Sequence, residues 1–394
     1  VQSHKYDYFK ELKEEKKYLD KTNNKTTESR LYIPFPKRIF FNRRKLSPEQ
    51  KKELEARGAY VLARDGEHVK NAVEHDKTAF VLTIEGANVF NTGDDFESIQ
   101  EKVMEVKGWD TPVFFITFTH HFYNDLAGHA HSIPDIGNLL LDQSEGLYSG
   151  FTSKGLKVLR LLLSLDDDGN YKPAEMGRRI LIDVKHLNAV SRKEYFENFV
   201  HPSLNTPNPI PVIASHVAFS GKRTLEELIE GMETETDKRF TERYGKKFND
   251  WNINLCDEDV LLIYKSKGLI GINLDQRVLG VSKADAEKEE THAGYVWQNI
   301  KAMMLAVIDA DDPELKSKME ITNTFCLGTD FDGFIDPLNK YPTVMEFGQL
   351  GDDLIKTIEE DPDKGRLLFG LEPQEMAEKI CFGNAYDFVM KNFK

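Results

Sequence analysis

Short apolar runs alternate with amphipathic segments along most of this chain. Six runs have the length of a strand and are apolar at nearly every position: residues 78–86, 112–120, 179–186, 211–216, 269–274 and 325–330. Such runs are typical of strands covered on both faces, as in a parallel sheet. A shorter run at residues 59–62 predicts a seventh strand, and an eighth is expected before the start of this chain or near it.

Helical patterns fill the intervals between the predicted strands. Residues 154–165 carry leucines at helical spacing and follow Thr152 and Ser153, either of which can cap a helix. Ser191 and Thr224 each stand three residues before a glutamate, which is the pattern of a capping box. The first box predicts a helix over residues 193–199, and further helices are predicted over 257–267, 294–308, 372–380 and 384–392. This alternation favours an α/β fold, a (β/α)8 TIM barrel.

The N-terminal segment, residues 1–57, is polar and rich in Lys and Glu. It predicts a helix over residues 8–19, a loop over 23–27, an apolar patch at 39–41 and a helix start at Ser47 and Pro48. We expect this irregular segment to pack on the barrel or to precede it. No internal repeat or low-complexity linker marks a boundary, so residues 1–394 are predicted to form a single barrel domain.

The charge balance is acidic, with a formal net charge of −14. It argues against a nucleic-acid partner or an anionic membrane surface. The longest apolar runs have strand length, so no membrane span is expected, and no signal peptide is visible. Cys256, Cys326 and Cys381 lack the spacing of a metal site and are expected to be buried free thiols. A start at Val1 rather than Met is compatible with missing upstream residues, so the compartment stays open, cytoplasmic or exported.

Five polar side chains end the predicted strands: Glu85, His120, His186, His216 and Asp330. In a barrel the carboxyl ends of the strands converge on one face, whatever their separation along the chain. Imidazole and carboxylate groups are ligands of Zn²⁺, and two ions about 3.5–4 Å apart can clamp a hydrolytic transition state. A single histidine after a strand is more often structural, but five matching positions favour a metal site.

Residues 119–131 hold four of the eleven histidines. A His-rich tract can bind metal, and a solvated active-site loop explains it equally well. His120 lies nearest the strand and is the candidate, whereas His129 and His131 are expected to be loop residues. Asp183 lies inside its predicted strand, where we expect it to orient a neighbour or to pack rather than to bind metal.

These motifs resemble the renal (membrane) dipeptidase family of the amidohydrolase superfamily. The resemblance spans about residues 78–394 and rests, in the family's order, on residues 84–86, 119–124, 151–155, 182–187, 211–216, 328–333 and 379–384. It implies a (β/α)8 barrel with a binuclear zinc site. The implied substrate is a dipeptide or a related small amide with a free carboxylate, and a homodimer is compatible with the family.

The resemblance also implies a role for each strand-end residue. Glu85 would bridge both zinc ions, and His186 and His216 would hold the second one. His120 would bind the substrate and stabilise the oxyanion. Asp330 would contact the substrate as general acid/base, taking a proton from the attacking water and passing it to the leaving nitrogen.

The chain departs from the family pattern at three places. The His-x-Asp pair that holds the first ion is not found; it lies before Val1 or is lost, in which case one ion is expected. Lys185 precedes His186, which puts a cation beside the site or in solvent. The Arg that grips the substrate carboxylate is absent from residues 250–257, and Arg223 is the candidate replacement.

Three functions stay open at this point. The leading hypothesis is a zinc-dependent hydrolase of dipeptides or small amides. The second is a relative that acts on another amide or ester, because the carboxylate contact has changed. The third is a non-catalytic or mononuclear barrel that binds a small molecule without the first ligand pair.

Overall fold

A parallel sheet forms the centre of the protein. The computed structural model describes residues 6–23, 60–133, 141–234, 239–313, 315 and 317–394. Its strands are β1 (Val61–Leu62), β2 (Ala79–Phe80), β3 (Leu82–Glu85), β4 (Val113–Thr117), β5 (Leu181–Asp183), β6 (Ile213–Val217), β7 (Phe240–Arg243), β8 (Lys246–Asn249), β9 (Leu269–Ile272) and β10 (Phe325–Leu327). Six of them pair in the order β3-β4-β5-β6-β9-β10, and every pairing is parallel.

All six strands of this sheet coincide with apolar runs of the sequence, so the predicted parallel sheet is confirmed. The seventh run forms β1, which pairs in parallel with β2 just ahead of β3. The architecture is TIM-barrel-like. Closure of the barrel is not detected among the described residues, and the expected eighth strand is not among them.

The helices lie mainly between the strands and pack against the sheet. They are α1 (Tyr8–Thr22), α2 (Gly66–Glu74), α3 (Phe96–Lys107), α4 (Ser153–Leu163), α5 (Pro173–Met176), α6 (Ala189–Tyr195), α7 (His201–Ser203), α8 (Leu225–Gly231), α9 (Asp257–Lys265), α10 (Gln276–Leu279), α11 (His292–Ile308), α12 (Phe347–Glu359), α13 (Lys364–Leu367), α14 (Pro373–Glu378) and α15 (Asn384–Asn392). The predicted helices at 154–165, 257–267, 294–308, 372–380 and 384–392 are therefore confirmed within a few residues.

Side-chain caps fix where three of these helices begin. Thr152 and Thr224 cap α4 and α8 as predicted, because each side chain accepts from the backbone N–H three residues further on. The prediction for Ser191 was wrong, since α6 begins at Ala189 and is capped by Asn188. The Asn188 side chain accepts from the Ser191 N–H at 2.8 Å. Asparagine is as good a cap as serine, and here it stands earlier in the chain.

One element was not predicted at all. β7 and β8 form an antiparallel hairpin that is inserted between β6 and β9. Its turn contains Tyr244 and Gly245, both with positive φ. The insertion lengthens the connection between β6 and β9 without disturbing their parallel pairing.

The C-terminal helix covers the amino ends of the strands. Phe114, Leu181 and Ile213 lie at or next to the first residue of β4, β5 and β6, and they form a small apolar cluster with Phe388 and Phe393. The ring centres of Phe114 and Phe393 are 5.0 Å apart. This leaves the carboxyl ends of the strands as the face at which sites are found in parallel α/β folds.

Three strands approach each other closely at that carboxyl end. A Cβ atom on Gly271 of β9 would lie 2.0 Å from the carbonyl oxygen of Ser215 in β6, and one on Gly328 would lie 1.9 Å from the same oxygen. No side chain fits at such distances, so both positions require glycine. The two glycines allow β6, β9 and the segment after β10 to converge.

The N-terminal helix predicted over residues 8–19 is confirmed as α1. Phe9 is buried, and its ring lies 6.5 Å from that of Phe90. The apolar patch at 39–41, the helix start at Ser47 and most of the loop at 23–27 lie outside the described residues. The assignment of residues 1–394 to one domain remains a prediction.

Two further expectations concern the state of the cysteines and the absence of a membrane span. Cys256 and Cys326 are buried free thiols, as predicted, whereas Cys381 is a free thiol that is only partly buried. Across the described ranges, no helix has both the length and the apolar character needed to cross a membrane.

Candidate metal centre

Five strands deliver side chains to the carboxyl end of the sheet. Glu85 is the last residue of β3, and His216 is the last but one of β6. His120, His186 and Asp330 each lie three residues beyond the end of β4, β5 and β10, respectively. The structure therefore brings all five strand-end residues to one face.

One carboxylate oxygen lies at the centre of this group. Oε1 of Glu85 is 3.5 Å from Nε2 of His186, 3.5 Å from Nε2 of His216 and 3.6 Å from Nε2 of His120. Oδ2 of Asp330 lies 3.9 Å from Nε2 of His216. These separations are too long for good hydrogen bonds. The ligand atoms of Glu85, His186 and His216 all lie within 4.8 Å of one another.

Two of these residues have a left-handed backbone conformation, which is uncommon outside glycine. The φ angle is +67° at His186 and +58° at Asp330. The carbonyl of His186 accepts from the Ala130 N–H at 2.7 Å, and that of Asp330 accepts from the Gly333 N–H at 3.0 Å. Residues in sparsely populated backbone regions are concentrated at functional sites, where surrounding contacts maintain them.

Burial keeps the histidines of the site neutral. Burial, with smaller contributions from Lys185 and the neighbouring imidazoles, lowers the pKa of His186 and of His216 well below its usual value. The same effect lowers the pKa of His120 to about 3 and that of His121 to about 4. A neutral imidazole has a lone pair on one ring nitrogen, so it can ligate a metal without first losing a proton.

The two carboxyl groups have raised pKa values. Although 42% of the Glu85 side chain is exposed at the mouth, desolvation and the charges of Asp330 and Asp183 raise its pKa to about 7. Burial also raises the pKa of Asp330. Carboxyl groups in a cleft whose pKa values move toward neutrality are typical of functional sites.

Lys185 is buried beside His186 and does not point to solvent. Only 2% of its surface is exposed. Burial lowers its pKa to about 8, against the opposing effect of nearby acids led by Asp330 and Asp183. Of the two alternatives that the sequence left open, the structure favours a cation that belongs to the site.

Sequence reasoning missed His121. Its ring centre lies 3.9 Å from that of His120 and 5.2 Å from that of His186. Its Nδ1 is 2.8 Å from the hydroxyl of Ser132. Two histidines in succession after a strand were the available signal, but strand-end spacing pointed to one of them. His129 is buried with both ring nitrogens facing backbone carbonyls, so its role is structural.

Arg223 is the predicted site residue that the structure does not bring to this group. Its backbone N–H donates to the Glu227 carboxylate at 2.9 Å. The charge of its guanidinium acts on Asp257. The charge of Arg277, in contrast, acts on Asp330.

Comparison with known proteins bears on the fold. No family model matches the sequence, and no curated protein matches it. A metallopeptidase of Rhodobacter sphaeroides, solved with a phosphinate mimic of the dipeptide L-Ala-D-Ala, is similar in structure with a TM-score of 0.51 and 14% identity, over 87% of this chain and 71% of that one. The metallopeptidase dipeptidase AC gives a TM-score of 0.51 and 13% identity, over 84% of this chain and 71% of that one. This chain shares the fold of these two metallopeptidases.

The dipeptidase-type fold confirms the resemblance at the level of architecture. The residues that converge at the carboxyl end of the sheet fit a metal ion. Nε2 of His216 and Nδ1 of His186 are buried without a hydrogen-bond partner. Ligand atoms about 2.1 Å from a tetrahedral ion lie about 3.4 Å apart, which is close to the 3.5 Å from Glu85 Oε1 to Nε2 of each histidine.

The set of metal ligands that the resemblance implies is only partly present among the described residues. Glu85, His186 and His216 are the one group of at least three potential ligands that converge in the part of the chain that the structure describes. A His-x-Asp pair is not found in the described ranges. These three ligand groups therefore suit one ion.

Proposed function

We propose that this chain is a zinc-dependent hydrolase that cleaves a dipeptide or a related small amide. The proposal is carried by one observation: Glu85 Oε1 lies 3.5–3.6 Å from Nε2 atoms of three histidines that follow or belong to different strands. The phosphinate dipeptide mimic bound by the Rhodobacter protein supports the same substrate class, because a phosphinate resembles the tetrahedral state of amide hydrolysis.

Glu85, His186 and His216 would hold the ion. Zn²⁺ suits imidazole and carboxylate donors. When bound, it would activate a water molecule and polarise the substrate carbonyl. A second ion needs further ligands of the His-x-Asp type, so these three residues alone correspond to a single ion.

Asp330 is proposed to move the proton. Its Oδ2 lies 3.9 Å from Nε2 of His216, so a water attacking the substrate beside the ligand group would be within its reach. Burial raises the pKa of Asp330, which brings it closer to neutral pH. A carboxylate with such a pKa can take a proton from the water and return it to the leaving nitrogen.

His120 is proposed to bind the substrate carbonyl oxygen. Burial lowers its pKa to about 3, so the ring is neutral and offers an N–H rather than a full positive charge. A fixed donor at the developing oxyanion stabilises the transition state of amide hydrolysis. His121, whose ring centre is 3.9 Å away, restricts the orientation of the His120 ring.

A substrate with a free carboxylate needs a cation at the mouth. Lys185 and Arg277 are the proposed contacts because their charges act on Asp330, whereas the charge of Arg223, the contact predicted from the sequence, acts on Asp257. Replacing each by Met and measuring KM for a dipeptide and for its C-terminal amide identifies the contact. Only the variant at the true contact should lose the preference for a free carboxylate. A homodimer remains a prediction of the resemblance, which light scattering tests.

Elemental analysis of protein made from the complete open reading frame tests the proposed function first. About one zinc per chain is expected from the described ligands, and about two if an upstream pair is present. Hydrolysis of a panel of dipeptides and small amides should accompany the bound zinc, with Asp330→Asn as the inactive control. A protein that takes up no zinc after dialysis against it contradicts the proposal and favours a barrel that binds a small molecule.

A further inference from the structure

Asp183 is a buried carboxylate that the mechanism above does not use. It ends β5, and none of its surface is exposed. Its Oδ1 accepts from the backbone N–H groups of Lys185 at 3.0 Å and Ser215 at 2.9 Å. Its Oδ2 accepts from the hydroxyls of Thr117 at 2.6 Å and Ser215 at 2.5 Å. Burial raises the pKa of Asp183, and these four hydrogen bonds oppose that effect. Each carboxylate oxygen accepts from two donors, which is the arrangement that suits the ionised form.

The hydrogen count on Ser215 then fixes the tautomer of His216. A serine hydroxyl has one hydrogen, and an ionised Asp183 can only accept it. The same Ser215 oxygen lies 2.7 Å from Nδ1 of His216. Because its hydrogen is given to Asp183, this oxygen can only accept from the ring, so Nδ1 must carry the ring hydrogen. In the neutral ring, Nε2 is then the nitrogen with the lone pair.

We propose that Asp183 is a positioning residue that acts through Ser215 to hold His216 in the tautomer whose Nε2 lone pair faces the ligand group. This inference rests on the proposed metal site and adds the residue that prepares one of its ligands. Carboxylates often orient a metal-ligating histidine by accepting its second N–H directly. In this protein a serine hydroxyl stands between the two groups.

This tautomer matters because of the groups that face Nε2 of His216. Nε2 is buried without a hydrogen-bond partner, and it faces Oε1 of Glu85 at 3.5 Å and Oδ2 of Asp330 at 3.9 Å. Two acidic oxygens would draw the ring hydrogen to Nε2, where it would block the lone pair that an ion needs. The relay from Asp183 opposes that pull by holding the hydrogen on Nδ1.

Asp183→Asn tests the relay while keeping the shape of the side chain. The amide oxygen would keep the two backbone bonds, and the amide nitrogen would donate to the two hydroxyls. The Ser215 hydrogen would then turn to Nδ1 of His216 and move the ring hydrogen to Nε2. Nitrogen-15 NMR of ring-labelled, zinc-free protein reads each tautomer, and His216→Gln identifies the signals. We expect Nδ1–H in the wild type and Nε2–H in the Asp183→Asn variant.

Zinc affinity provides the second readout. Competition with a chromophoric chelator should show zinc binding that is about 10- to 100-fold weaker in Asp183→Asn and in Ser215→Ala, the usual range for partners of a ligating histidine. Thr117→Val is the matched control. It removes one bond to the same Asp183 oxygen without touching Ser215, so the tautomer and the zinc affinity should both stay at the wild-type values.

The outcomes separate the relay from the proposed function. A wild-type His216 with its hydrogen on Nε2 overturns the relay, and so does a folded Asp183→Asn variant that keeps both the Nδ1–H tautomer and wild-type zinc affinity. If Asp183→Asn does not fold, the wild-type tautomer and Ser215→Ala decide; an unchanged tautomer and affinity in Ser215→Ala overturns the relay. A wild-type protein with the expected tautomer that takes up no zinc supports the relay and contradicts the metal site.

Discussion

The two histidine ligands of the candidate site are held by different means. His216 lies within β6, and Ser215 links its ring to Asp183 through contacts of 2.7 and 2.5 Å. His186 lies beyond the end of β5 with a φ angle of +67°, and its Nδ1 is buried without a hydrogen-bond partner. Its ring is oriented by the backbone and by packing, with the ring centre of His120 4.8 Å away.

The orientation of a histidine ring and the nitrogen that carries its hydrogen can therefore be fixed by different contacts. Packing and backbone conformation restrict how the His186 ring is turned, but they do not decide which nitrogen carries the hydrogen. Hydrogen bonds at His216 decide both. Mutations around the two ligands should therefore have different consequences, even though both rings lie 3.5 Å from the same oxygen of Glu85.

The largest effect is expected at Asp330, which lies 3.9 Å from His216. Asp330→Asn removes the group proposed to take and return the proton, so kcat should fall by about 10²- to 10⁴-fold. Zinc content should not change, because Asp330 is not among the three converging ligands. Steady-state kinetics with elemental analysis of the same sample checks both statements. Loss of zinc together with activity would make Asp330 a ligand instead.

Replacing either proposed ligand tests directly whether the two histidines bind the same ion. His186→Gln and His216→Gln should each weaken zinc binding by more than about 100-fold, beyond the range for outer-shell partners. The two losses should be similar because both rings contribute one nitrogen to the same ion. Chelator competition measures them. A variant that keeps wild-type affinity would show that its histidine does not share the ion.

The pH dependence of zinc binding should be set by Glu85, which both histidines face. Its pKa is raised to about 7, so below that pH an ion must displace a proton from the carboxyl group. The pKa values of His186 and His216 lie well below their usual value, so these rings do not compete. Affinity should therefore be flat above pH 7 and fall about tenfold per pH unit below it. A fall that begins near pH 5 would contradict this assignment.

Lys185, which precedes His186, should influence the pH dependence of zinc binding. Its charge lowers the pKa of Glu85, in opposition to desolvation. Lys185→Met should therefore move the fall in zinc affinity to higher pH, whereas Lys185→Arg should leave it near the wild-type position. Zinc titrations across a pH series of both variants measure the shift. A shift to lower pH would mean that Lys185 acts through packing rather than charge.

The smallest effect is expected for Thr117→Val. The substitution removes one of four hydrogen bonds to the buried Asp183 carboxylate, which should lower the free energy of unfolding by about 1 kcal/mol. Urea denaturation measures this loss on protein whose zinc affinity is unchanged. A drop in affinity would extend the relay to β4.

The strands and the strand-end residues could be predicted because both follow from local pattern. Apolar runs such as β6 and β10 form strands wherever both faces are covered, and the polar residue at the end of each run then reaches the same face. The five residues from Glu85 to Asp330 were found by this rule. This rule does not predict the direction of side chains beyond the end of a strand. For that reason His121 was missed, and the position of Lys185, beside the site or in solvent, was left undecided. Burial lowers the pKa of Lys185, and acids led by Asp330 from another strand oppose that effect, which the sequence next to Lys185 does not reveal.

Other features depend on contacts that a local pattern does not contain. The hairpin of β7 and β8 is largely exposed and lacks an apolar run, so nothing in its sequence marked it as a pair of strands. α6 begins at Ala189 because the Asn188 side chain accepts from the Ser191 N–H. Arg192, inside the helix, is buried and donates to the Leu187 carbonyl at 2.9 Å, just ahead of that cap.

Gly271 and Gly328 bring no functional group to the site, yet a methyl group on either would meet the carbonyl of Ser215 at 2.0 or 1.9 Å. Ser215 is also the link between Asp183 and His216. During divergence toward new substrates, polar residues around the mouth can be exchanged one at a time, because each makes its own contacts. These two glycines cannot, since any replacement displaces a strand that several contacts share. Two positions that have no side chain are therefore among those least able to vary.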